Sequence, residues 1–259
     1  MEIYNQDCIE CLKDMEERSV DLFVLDLPYA NKKFGKCTAM VWDSPIDLDE
    51  MWKQIKRTMK PSAVIIFFCN VKFGYSLIHS NPKWFRYDLI WKKSRKVGFL
   101  QANKQPLRQH ENIYIFADRT TPEGIYNPQK EKREKELKME RKGKNIETEI
   151  YSGNPTSLPE RSTYTHRHPT SVIEHNNPSK SIHKTQKPVS LLEWLIKSYS
   201  NEKDIVCDFT MGSGTTAIAC LETKRYFIGC EKDKDIFCLA KERIENHNHP
   251  ADVKKKKKV

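Results

Sequence analysis

Hydrophobic and polar positions change period several times along the chain, and each change marks a strand or a helix. Val20–Leu25 is a nearly continuous apolar run, which is typical of a strand buried on both faces of a parallel sheet. Residues 47–59 instead carry apolar side chains at the spacing of one helix face. Because segments of the two kinds alternate, the sequence predicts an α/β domain with a mostly parallel sheet.

The same periodicities assign the other ordered segments. Strands are predicted at residues 2–5, 20–25, 62–68, 86–91, 112–117, 204–209 and 225–231. Helices are predicted at residues 8–17, 47–59, 73–79, 188–199, 216–223 and 233–246. Pro188 suits the start of its helix, because its missing amide hydrogen costs little there.

The pattern fades between residues 119 and 181. Residues 129–144 form a dense run of mixed charges, for which a solvated helix is the favoured interpretation. A loop-rich stretch punctuated by prolines follows, and it carries a basic and aromatic cluster: Arg161, Tyr164, His166, Arg167 and His168. A segment of this length and kind inside a compact domain is usually functional or disordered.

Charge points to the class of partner. The 259 residues include 45 Lys and Arg against 35 Asp and Glu, a net charge of +10. Such a balance favours a polyanionic partner, of which nucleic acid is the commonest. Residues 254–258 are five consecutive lysines in a tail that is expected to be unfolded alone.

The cysteines and the hydropathy of the chain indicate the cellular compartment in which the protein is expected. Most of the eight cysteines sit inside apolar runs, as buried free thiols do. Cys8 and Cys11 form a CxxC, but no second ligand pair follows at a suitable distance, so no metal site is expected. The sequence has no secretory h-region and no long apolar stretch, and a cytoplasmic protein that is neither secreted nor membrane-bound is expected.

A glycine loop follows the strand predicted at residues 204–209. Residues 208–216 read Asp-Phe-Thr-Met-Gly-Ser-Gly-Thr-Thr, in which Gly212 and Gly214 would let the backbone approach a ligand closely. Glu231 ends the next strand, where a carboxylate can accept hydrogen bonds from ribose hydroxyls. A structural turn would explain the loop alone; the loop and the acid together indicate a nucleoside-bearing ligand.

Asp26-Leu27-Pro28-Tyr29 stands at the carboxyl end of the apolar strand Val20–Leu25. A carboxylate, a stiff turn and an aromatic ring suit a pocket for a planar base that carries an amine. Asp26 would accept a hydrogen bond from the amine, and Tyr29 would stack on the ring, an interaction worth roughly 1–3 kcal/mol per base. An ordinary strand-terminating turn is the alternative for this tetrapeptide taken alone.

These motifs together resemble the amino-methylating DNA methyltransferases, in the permuted β arrangement where the catalytic motif precedes the cofactor motif. Residues 26–29 are similar to that family's Asp-Pro-Pro-Tyr, and residues 208–216 to its Asp-Pro-Phe-x-Gly-Ser-Gly-Thr-Thr. Residues 183–188 resemble its His-Pro-Thr-Gln-Lys-Pro, residues 5–8 its Gly-Asp-Cys, and residues 108–113 its Arg-x-His-Glu-x-Ile. The matches run in the family's order from residue 3 to about 245.

The resemblance implies a Rossmann-like methyltransferase fold, circularly permuted, that uses S-adenosyl-L-methionine. Residues 1–118 would be its catalytic half, 119–181 a target-recognition insert, 182–247 the cofactor-binding half and 248–259 a basic disordered tail. The implied catalytic residues are Asp26, Leu27, Pro28 and Tyr29. The implied cofactor-binding residues are Asp7, Asp26, His183, Thr185, Lys187, Asp208, Phe209, Gly212, Gly214, Thr215 and Glu231.

The sequence departs from the family pattern at three places. Leu27 replaces the first proline, where the expected contact is a backbone carbonyl that leucine also supplies. Phe209 and Thr210 stand where Pro-Phe is usual, which would reshape the methionine pocket while Asp208 and both glycines are kept. Lys184 replaces a loop proline, with no consequence that we can assign.

The implied nucleic-acid contacts lie in two stretches. The first, after the strand predicted at residues 86–91, is Lys92, Lys93, Arg95 and Lys96. The second is the cluster Arg161, Tyr164, His166, Arg167 and His168, which could reach phosphates or base edges. A loop that merely covers the sheet is the alternative for the whole insert.

The implied reaction is methylation of an exocyclic amine in a flipped-out base of DNA. An acidic residue first in the catalytic loop favours adenine N6 over cytosine N4 in the family. Cytosine-C5 chemistry needs a nucleophilic cysteine in a Pro-Cys context, and no cysteine here follows a proline. An RNA adenine methyltransferase and a catalytically silent DNA-binding relative remain as alternatives. The resemblance leaves open a homodimer and a cognate restriction enzyme as further partners.

Overall fold

The computed structural model describes residues 1–30, 45–118, 125–140, 161–178 and 186–248, with the backbone alone at 139–140, 161–162 and 248. The chain divides into a main unit, Met1–Asn127 with Ser171–Val259, and a small unit, Pro128–Thr170. The small unit falls within the insert predicted at residues 119–181. The lysine tail lies outside the described residues. No helix in the described part of the chain is long and apolar enough to cross a membrane.

The elements alternate along the main unit as the sequence predicts. They are β1 (Glu2–Tyr4), α1 (Cys8–Asp14), β2 (Val20–Leu25), α2 (Leu48–Thr58), β3 (Met59–Cys69), α3 (Val71–Ser80), β4 (Phe85–Val97), β5 (Arg108–Ala117), β6 (Glu131–Glu140), β7 (Arg161–Arg167), β8 (Val172–His175), α4 (Val189–Tyr199), β9 (Ile205–Asp208), α5 (Thr215–Glu222), β10 (Tyr226–Cys230) and α6 (Lys234–Asn248). A single 3-10 turn, Phe99–Gln101, lies between β4 and β5. Strands β6 and β7 belong to the small unit.

One eight-stranded sheet forms the centre of the main unit, in the order β1-β10-β9-β2-β3-β5-β4-β8. Strand β5 runs antiparallel to both of its neighbours, β3 and β4. The other pairs of this sheet are parallel, so the mostly parallel sheet is confirmed. Strands β2 and β9 are neighbours, with Phe23 opposite Cys207. The Asp26 and Gly212 loops therefore leave the same edge of the sheet side by side, where open α/β sheets bind ligands.

Alternate side chains of β2 enter two different apolar layers. Leu22 and Val24 pack in the layer that contains α4 and α5. Phe23 and Leu25 pack on the opposite face, in the layer that contains α1, α2 and α3. Every residue of β2 is buried, which confirms that the nearly continuous apolar run is a strand covered on both faces.

Some element boundaries differ from the predicted ones. Strand β4 continues to Val97 rather than ending at Trp91, because its polar second half still pairs with β5 and β8. Strand β3 begins at Met59, directly after α2, and α1 ends at Asp14. Strand β5 begins at Arg108 rather than at residue 112, and β8 lies in a stretch for which no strand was predicted. The other predicted strands and helices of the main unit agree to within about two residues at each end, which is the ordinary uncertainty of such boundaries.

The helix predicted over the mixed charges at residues 129–144 is wrong in its described part. Residues 131–140 form β6, which pairs antiparallel with β7, and β7 occupies part of the stretch expected to be loop. The charges pair across strands instead of along a helix face: Glu131 lies opposite Arg167 and forms an ion pair with it. Leu137 lies opposite Tyr164. Cross-strand pairs of these kinds stabilise a two-stranded ribbon.

Asp21 is the acidic residue within the otherwise apolar strand β2, and it ties three strands together. Its side chain is 8% exposed, and its carboxylate accepts from the Lys60 ammonium of β3 at 2.7 Å. It also accepts from the backbone amide of Ile205, at the start of β9, at 2.9 Å. A buried carboxylate with both partners in place stabilises the register of these strands.

We expect Asp21→Ala to lower the free energy of unfolding by roughly 1–3 kcal/mol, because it leaves the Ile205 amide without its acceptor. Urea unfolding followed by circular dichroism measures this change. Asp235→Ala, at an exposed position in α6, is the matched control and should change stability by less than about 0.5 kcal/mol. Equal midpoints for the two variants would contradict the role given to Asp21.

Candidate active site

A cleft of about 1010 Å³ opens at the carboxyl ends of β2 and β9. It brings together residues from both ends of the sequence. Of the residues predicted for catalysis or cofactor binding, those lining it are Asp7, Asp26, Leu27, Pro28, Tyr29, Lys187, Asp208, Phe209, Gly212, Thr215 and Glu231. His183 and Thr185 lie outside the described residues.

Asp26 directly follows β2, and both of its carboxylate oxygens have partners. Oδ2 accepts from the Lys187 ammonium at 2.5 Å. Oδ1 accepts from the Tyr29 hydroxyl at 3.1 Å. Since Lys187 precedes α4 in the C-terminal half, this contact joins the two halves of the sheet at the loop that begins with Asp26.

Glu111 of β5 lies beside Asp26 as a second carboxylate. Its Oε1 is 3.1 Å from the Lys187 ammonium and 2.7 Å from the Tyr29 hydroxyl. Its Oε2 is 2.5 Å from the Lys93 ammonium of β4. Asp26, Glu111, Lys93 and Lys187 thus form a cluster of two carboxylates and two ammonium groups, with the Tyr29 hydroxyl between the carboxylates.

Burial and neighbouring charge act in opposite directions on these carboxylates. Burial raises the pKa of Asp26, and the adjacent Lys187 ammonium opposes the rise while the negative charge of Glu111 adds to it. Burial also acts to raise the pKa of Glu111, but Lys187 and Lys93 outweigh it and hold that pKa at about 2. Glu111 is therefore ionised at neutral pH, and its charge acts on Asp26.

The same cluster acts on the proton donors. Burial works to lower the pKa of Lys187, but Asp26 and Glu111 raise it above its ordinary value, so the ammonium keeps its proton. Burial, and then the charges of Asp26 and Glu111, raise the pKa of Tyr29 well above its ordinary value. Tyr29 is therefore a neutral hydrogen-bond donor.

The rest of the catalytic loop is held by packing. The Leu27 side chain is buried in the apolar layer that includes Phe73. One face of the Tyr29 ring stacks on Phe73, with ring centroids 5.5 Å apart and planes 21° apart. Packing of this kind fixes the direction of the ring and of the Leu27 backbone.

The glycine loop meets Glu231 at the floor of the cleft. Gly212 and Gly214 both have positive φ, +51° and +71°, which side-chain-bearing residues rarely adopt. The Gly212 amide donates to Glu231 Oε2 at 3.1 Å, and the Asp233 amide donates to Oε1 at 2.9 Å. Gly214 packs against Ala240 and Ile244 of α6, so its missing side chain makes room for that helix.

Asp208 organises the loop from within. Its Oδ1 accepts from the Thr210 amide at 3.2 Å, and its Oδ2 from the Thr216 hydroxyl at 2.5 Å. Burial raises its pKa to about 7, although both hydrogen bonds oppose the rise. Because both oxygens are engaged inside the loop, the geometry indicates that Asp208 shapes the loop. The neighbouring Phe209 packs edge-on against Phe23 beneath it.

Asp7 and Thr215 also serve helix ends. Asp7 caps α1 by accepting from the Ile9 amide at 3.0 Å, and it forms an ion pair with Lys232 at 3.1 Å. Thr215 begins α5, and its hydroxyl accepts from Arg243 of α6 at 3.0 Å. Asp7 lies after β1 and Thr215 after β9, and both residues line the cleft.

The first group of predicted DNA contacts divides into different environments. Lys92 forms an exposed ion pair with Glu174 of β8 at 2.7 Å, and Arg95 is exposed. Lys93 differs from its prediction as a phosphate contact: it lines the cleft, pairs with Glu111 and lies 4.7 Å from the centre of the Trp91 ring. The alternation of side chains along β4 explains the difference, since neighbours on a strand face opposite ways.

The second group lies in the small unit. Tyr164, His166, Arg167 and His168 are exposed, and Arg167 pairs with Glu131 across the ribbon. The backbone of Arg161 pairs with Glu140 at the far end of β7. Arg161, Tyr164, His166 and Arg167 thus share one strand of an antiparallel ribbon, and His168 directly follows it.

Glu111 is the main site residue to which the sequence assigned no function. It belongs to the segment Arg108–Ile113 that resembles a family motif, but no role followed from that resemblance. The local signal was weak, because Glu111 stands between His110 and Asn112, just before the apolar strand predicted at residues 112–117, and nothing in that pattern separates it from an exposed carboxylate. Its partners, Lys93 and Lys187, could not be named without the fold.

Comparison with known proteins identifies the family of the chain. Residues 20–242 match the N6_N4_Mtase family model, described as DNA methylase. The type II methyltransferase M.BglII from Bacillus subtilis is 30% identical over 272 residues, covering 96% of this chain and 71% of that protein. The type II methyltransferase M.HpaI from Haemophilus parainfluenzae is 26% identical over 247 residues, covering 93% and 73%.

Solved structures share the fold. The M1.HpyAVI–SAM complex superposes with a TM-score of 0.62 at 23% identity, covering 93% of this chain and 98% of that one. The cytosine-N4-specific PvuII DNA methyltransferase superposes with a TM-score of 0.65 at 14% identity, covering 95% and 91%. With the family match spanning most of the sheet and both motif loops, the chain belongs to the N6/N4 family of DNA methylases.

Proposed function

We propose that this DNA methyltransferase transfers the methyl group of S-adenosylmethionine to N6 of an adenine that is turned out of the DNA helix. The observation that carries the proposal is the Asp26 carboxylate, which lines the cleft and is held by Lys187 and Tyr29 beside the Gly212 loop. An acidic residue first in the catalytic loop favours adenine in the family that the sequence resembles. N4 of cytosine is the alternative acceptor.

The chemistry of the cleft fits the cofactor. Gly212 brings backbone to the surface without a side chain, and Glu231 at the end of β10 places a carboxylate next to it, as sites for ribose hydroxyls do. Asp7, Phe209 and Thr215 complete this side of the cleft. A volume of about 1010 Å³ lies at the upper end of the range for ligand pockets, which leaves room for a base beside the cofactor.

When bound, S-adenosylmethionine supplies an electrophilic methyl group on a positively charged sulfur. The exocyclic amine of a base is a weak nucleophile because its lone pair is delocalised into the ring. Asp26 accepts a hydrogen bond from one amine hydrogen, and the Leu27 carbonyl accepts from the other. These two contacts localise the lone pair, so preorganised electrostatics and positioning account for much of the rate.

Within the charged cluster, the Lys187 ammonium favours the ionised, accepting form of Asp26. Lys187 holds one carboxylate oxygen, and Tyr29 donates to the other, so the orientation of the group is set before the base enters. The amine must lose a proton once it carries the methyl group, and Asp26 is placed to receive it. The Tyr29 ring, backed by Phe73 on one face, would stack on the base with its opposite face.

We assign sequence recognition to the insert at residues 119–181, and within it to the β6–β7 ribbon of the small unit. Its exposed residues Tyr164, His166, Arg167 and His168 combine hydrogen-bond donors with an aromatic ring, the groups that read base edges and contact phosphates. A cognate restriction enzyme and a homodimer remain proposals that rest on the type II relatives.

Nucleosides from DNA incubated with the protein and S-adenosylmethionine should contain N6-methyladenine as the main new product. Liquid chromatography with mass spectrometry identifies it, and the omission of protein is the control. N4-methylcytosine as the main product would contradict the choice of base. RNA of the same sequence, treated in parallel, should gain much less methyl; the reverse preference would indicate an RNA enzyme.

Asp26→Asn should lower the single-turnover rate of methylation by roughly 10²–10³-fold. The Lys187 ammonium takes the amide oxygen as its acceptor, so the amide NH2 group, which cannot accept, faces the amine and one preorganised hydrogen bond is removed. Affinity for the cofactor, measured by calorimetry, should change much less. Asp88→Asn, at an exposed position of β4, is the matched control. A rate within a few-fold of the unchanged protein would rule out the proposed role.

Glu111→Gln should move the acid side of the pH profile of kcat to lower pH. The negative charge of Glu111 helps to raise the pKa of Asp26, so its removal lowers that pKa, and the protonated Asp26 that cannot accept appears only at lower pH. Steady-state rates at saturating substrates over a pH series measure this. Glu174→Gln, which removes an exposed carboxylate from β8, should leave the profile in place; a move to higher pH in Glu111→Gln would contradict the assignment.

A further inference from the structure

The connection between β4 and β5 ends in an exposed apolar tip. Phe99 is 82% exposed and Leu100 is 94% exposed. They lie in the 3-10 turn Phe99–Gln101, beyond the last pair of the hairpin, Val97 with Arg108. Large apolar side chains that protrude in this way from a basic surface mark an interaction site more often than an accident of packing.

The tip is an ordered turn. The Gln101 amide donates to the Gly98 carbonyl at 2.9 Å, and the Ala102 amide donates to the Phe99 carbonyl at 3.0 Å. Further on, the Lys104 and Gln105 amides both donate to the Gln101 carbonyl. Gly98 has φ +93°, a left-handed conformation that lets the chain leave β4 sharply. The two side chains are therefore presented by a preorganised backbone.

The charge around the tip is of one sign. Residues 92–110 contain six Lys and Arg and no Asp or Glu. Lys92 and Lys93 pair with Glu174 and Glu111. Nearer the tip, Arg95, Lys96 and Lys104 form no ion pair within the described part of the chain. An apolar tip surrounded by cations is complementary to a nucleic acid: the cations can contact the phosphates, and the apolar side chains can contact the stacked bases.

The hairpin also borders the active site. Lys93 and Val97 of β4 and Arg108 of β5 line the cleft that holds Asp26. The tip begins at the next residue, Gly98. A duplex that delivers a base to Asp26 along this side of the cleft would therefore lie next to Phe99 and Leu100.

We propose that Phe99 and Leu100 form a wedge that enters the base stack of duplex DNA and occupies the space left when the target base turns into the cleft. Apolar side chains that insert between base steps unstack and kink a duplex, and a base that must be extruded costs more to present than one already unpaired. Arg95, Lys96 and Lys104 hold the flanking phosphates. The inference rests on the proposed function, because it gives the wedge a flipped base to replace.

The sequence that the protein methylates is first identified by locating the modified bases in DNA treated with it. The experiment then compares two duplexes that carry this sequence. In one the target base is paired, and in the other it lies opposite an abasic position. The double variant Phe99→Ala, Leu100→Ala should lose roughly 10- to 100-fold in kcat/KM on the paired duplex, since the wedge offsets the cost of unstacking. On the abasic duplex the kcat/KM of the double variant should stay within about threefold of that of the unchanged protein, because a base that is already unpaired costs little to extrude.

Three further variants distinguish the wedge from a general loss of DNA affinity. Phe99→Leu with Leu100→Phe keeps the apolar bulk and should retain activity on both duplexes. Lys96→Gln with Lys104→Gln should weaken binding to both duplexes alike and lower the salt slope of binding by about 0.9 for each phosphate that is no longer neutralised. Tyr226→Ala removes an aromatic side chain that is 57% exposed at the opposite end of β10 from the cleft and should change activity on neither duplex.

Equal loss on the paired and abasic duplexes would overturn the wedge. A second result would also overturn it: the double variant changes its oligomeric state in analytical ultracentrifugation, and its loss of kcat/KM is the same on both duplexes. The tip would then be a contact with a second copy of the chain. If the unchanged protein methylates neither duplex, the proposed function itself fails, and the wedge fails with it. Methylation by the unchanged protein together with equal rates for the double variant would reject the wedge alone.

Discussion

The ion pair between Lys187 and Asp26 is the contact on which the active site depends. It joins residues 161 positions apart in the sequence at the carboxyl end of the sheet. Lys187 is only 9% exposed, and a buried ammonium is tolerated only when it is paired and hydrogen-bonded. The correct placement of β9 and α4 beside β2 is what supplies those partners. Folding of the two halves and assembly of the catalytic loop are therefore one event.

The ion pair of Lys187 and Asp26 would not be enough by itself to satisfy these buried groups, because a buried carboxylate with a single partner keeps unsatisfied acceptor sites. Glu111 and Lys93 complete the arrangement, and Tyr29 bridges the two carboxylates. Removing any charged member leaves an uncompensated charge in the group, whose effect extends to Asp26. The antiparallel direction of β5 makes this arrangement possible. Because β5 lies next to β3 and runs opposite to it, Glu111 near its beginning lies at the carboxyl end of the parallel strands, at the mouth of the cleft.

Most of the fold could be predicted from the sequence because local periodicity and burial agree there. The apolar run of β2 and the Gly212 loop identify a buried strand and a ligand-approaching turn without knowledge of their neighbours. The same reasoning assigned no role to Glu111 and did not predict that Lys93 pairs with it, because side chains of β4, β5 and the residue before α4 meet only once the strand order is known. It also chose a helix for β6, since alternating Lys and Glu can pair equally well along a helix or across a ribbon, and only the partner β7 decides.

Charge is divided between the interior of the site and its rim. The cluster has no net charge, because the two carboxylates of Asp26 and Glu111 are matched by the two ammonium groups of Lys93 and Lys187. An uncharged base would therefore meet no net field from the cluster. The excess of positive charge in the chain lies elsewhere, and part of it surrounds the β4–β5 hairpin that borders the cleft. A phosphate drawn into the cleft itself would compete with Asp26 and Glu111 for the two ammonium groups, whereas a phosphate at the rim meets no such competitor. Lys93 illustrates the division: it lies on the same strand as Arg95, yet Glu111 keeps its charge within the site. Under the proposed function, the backbone of the DNA would therefore be held at the rim while only the base reaches Asp26.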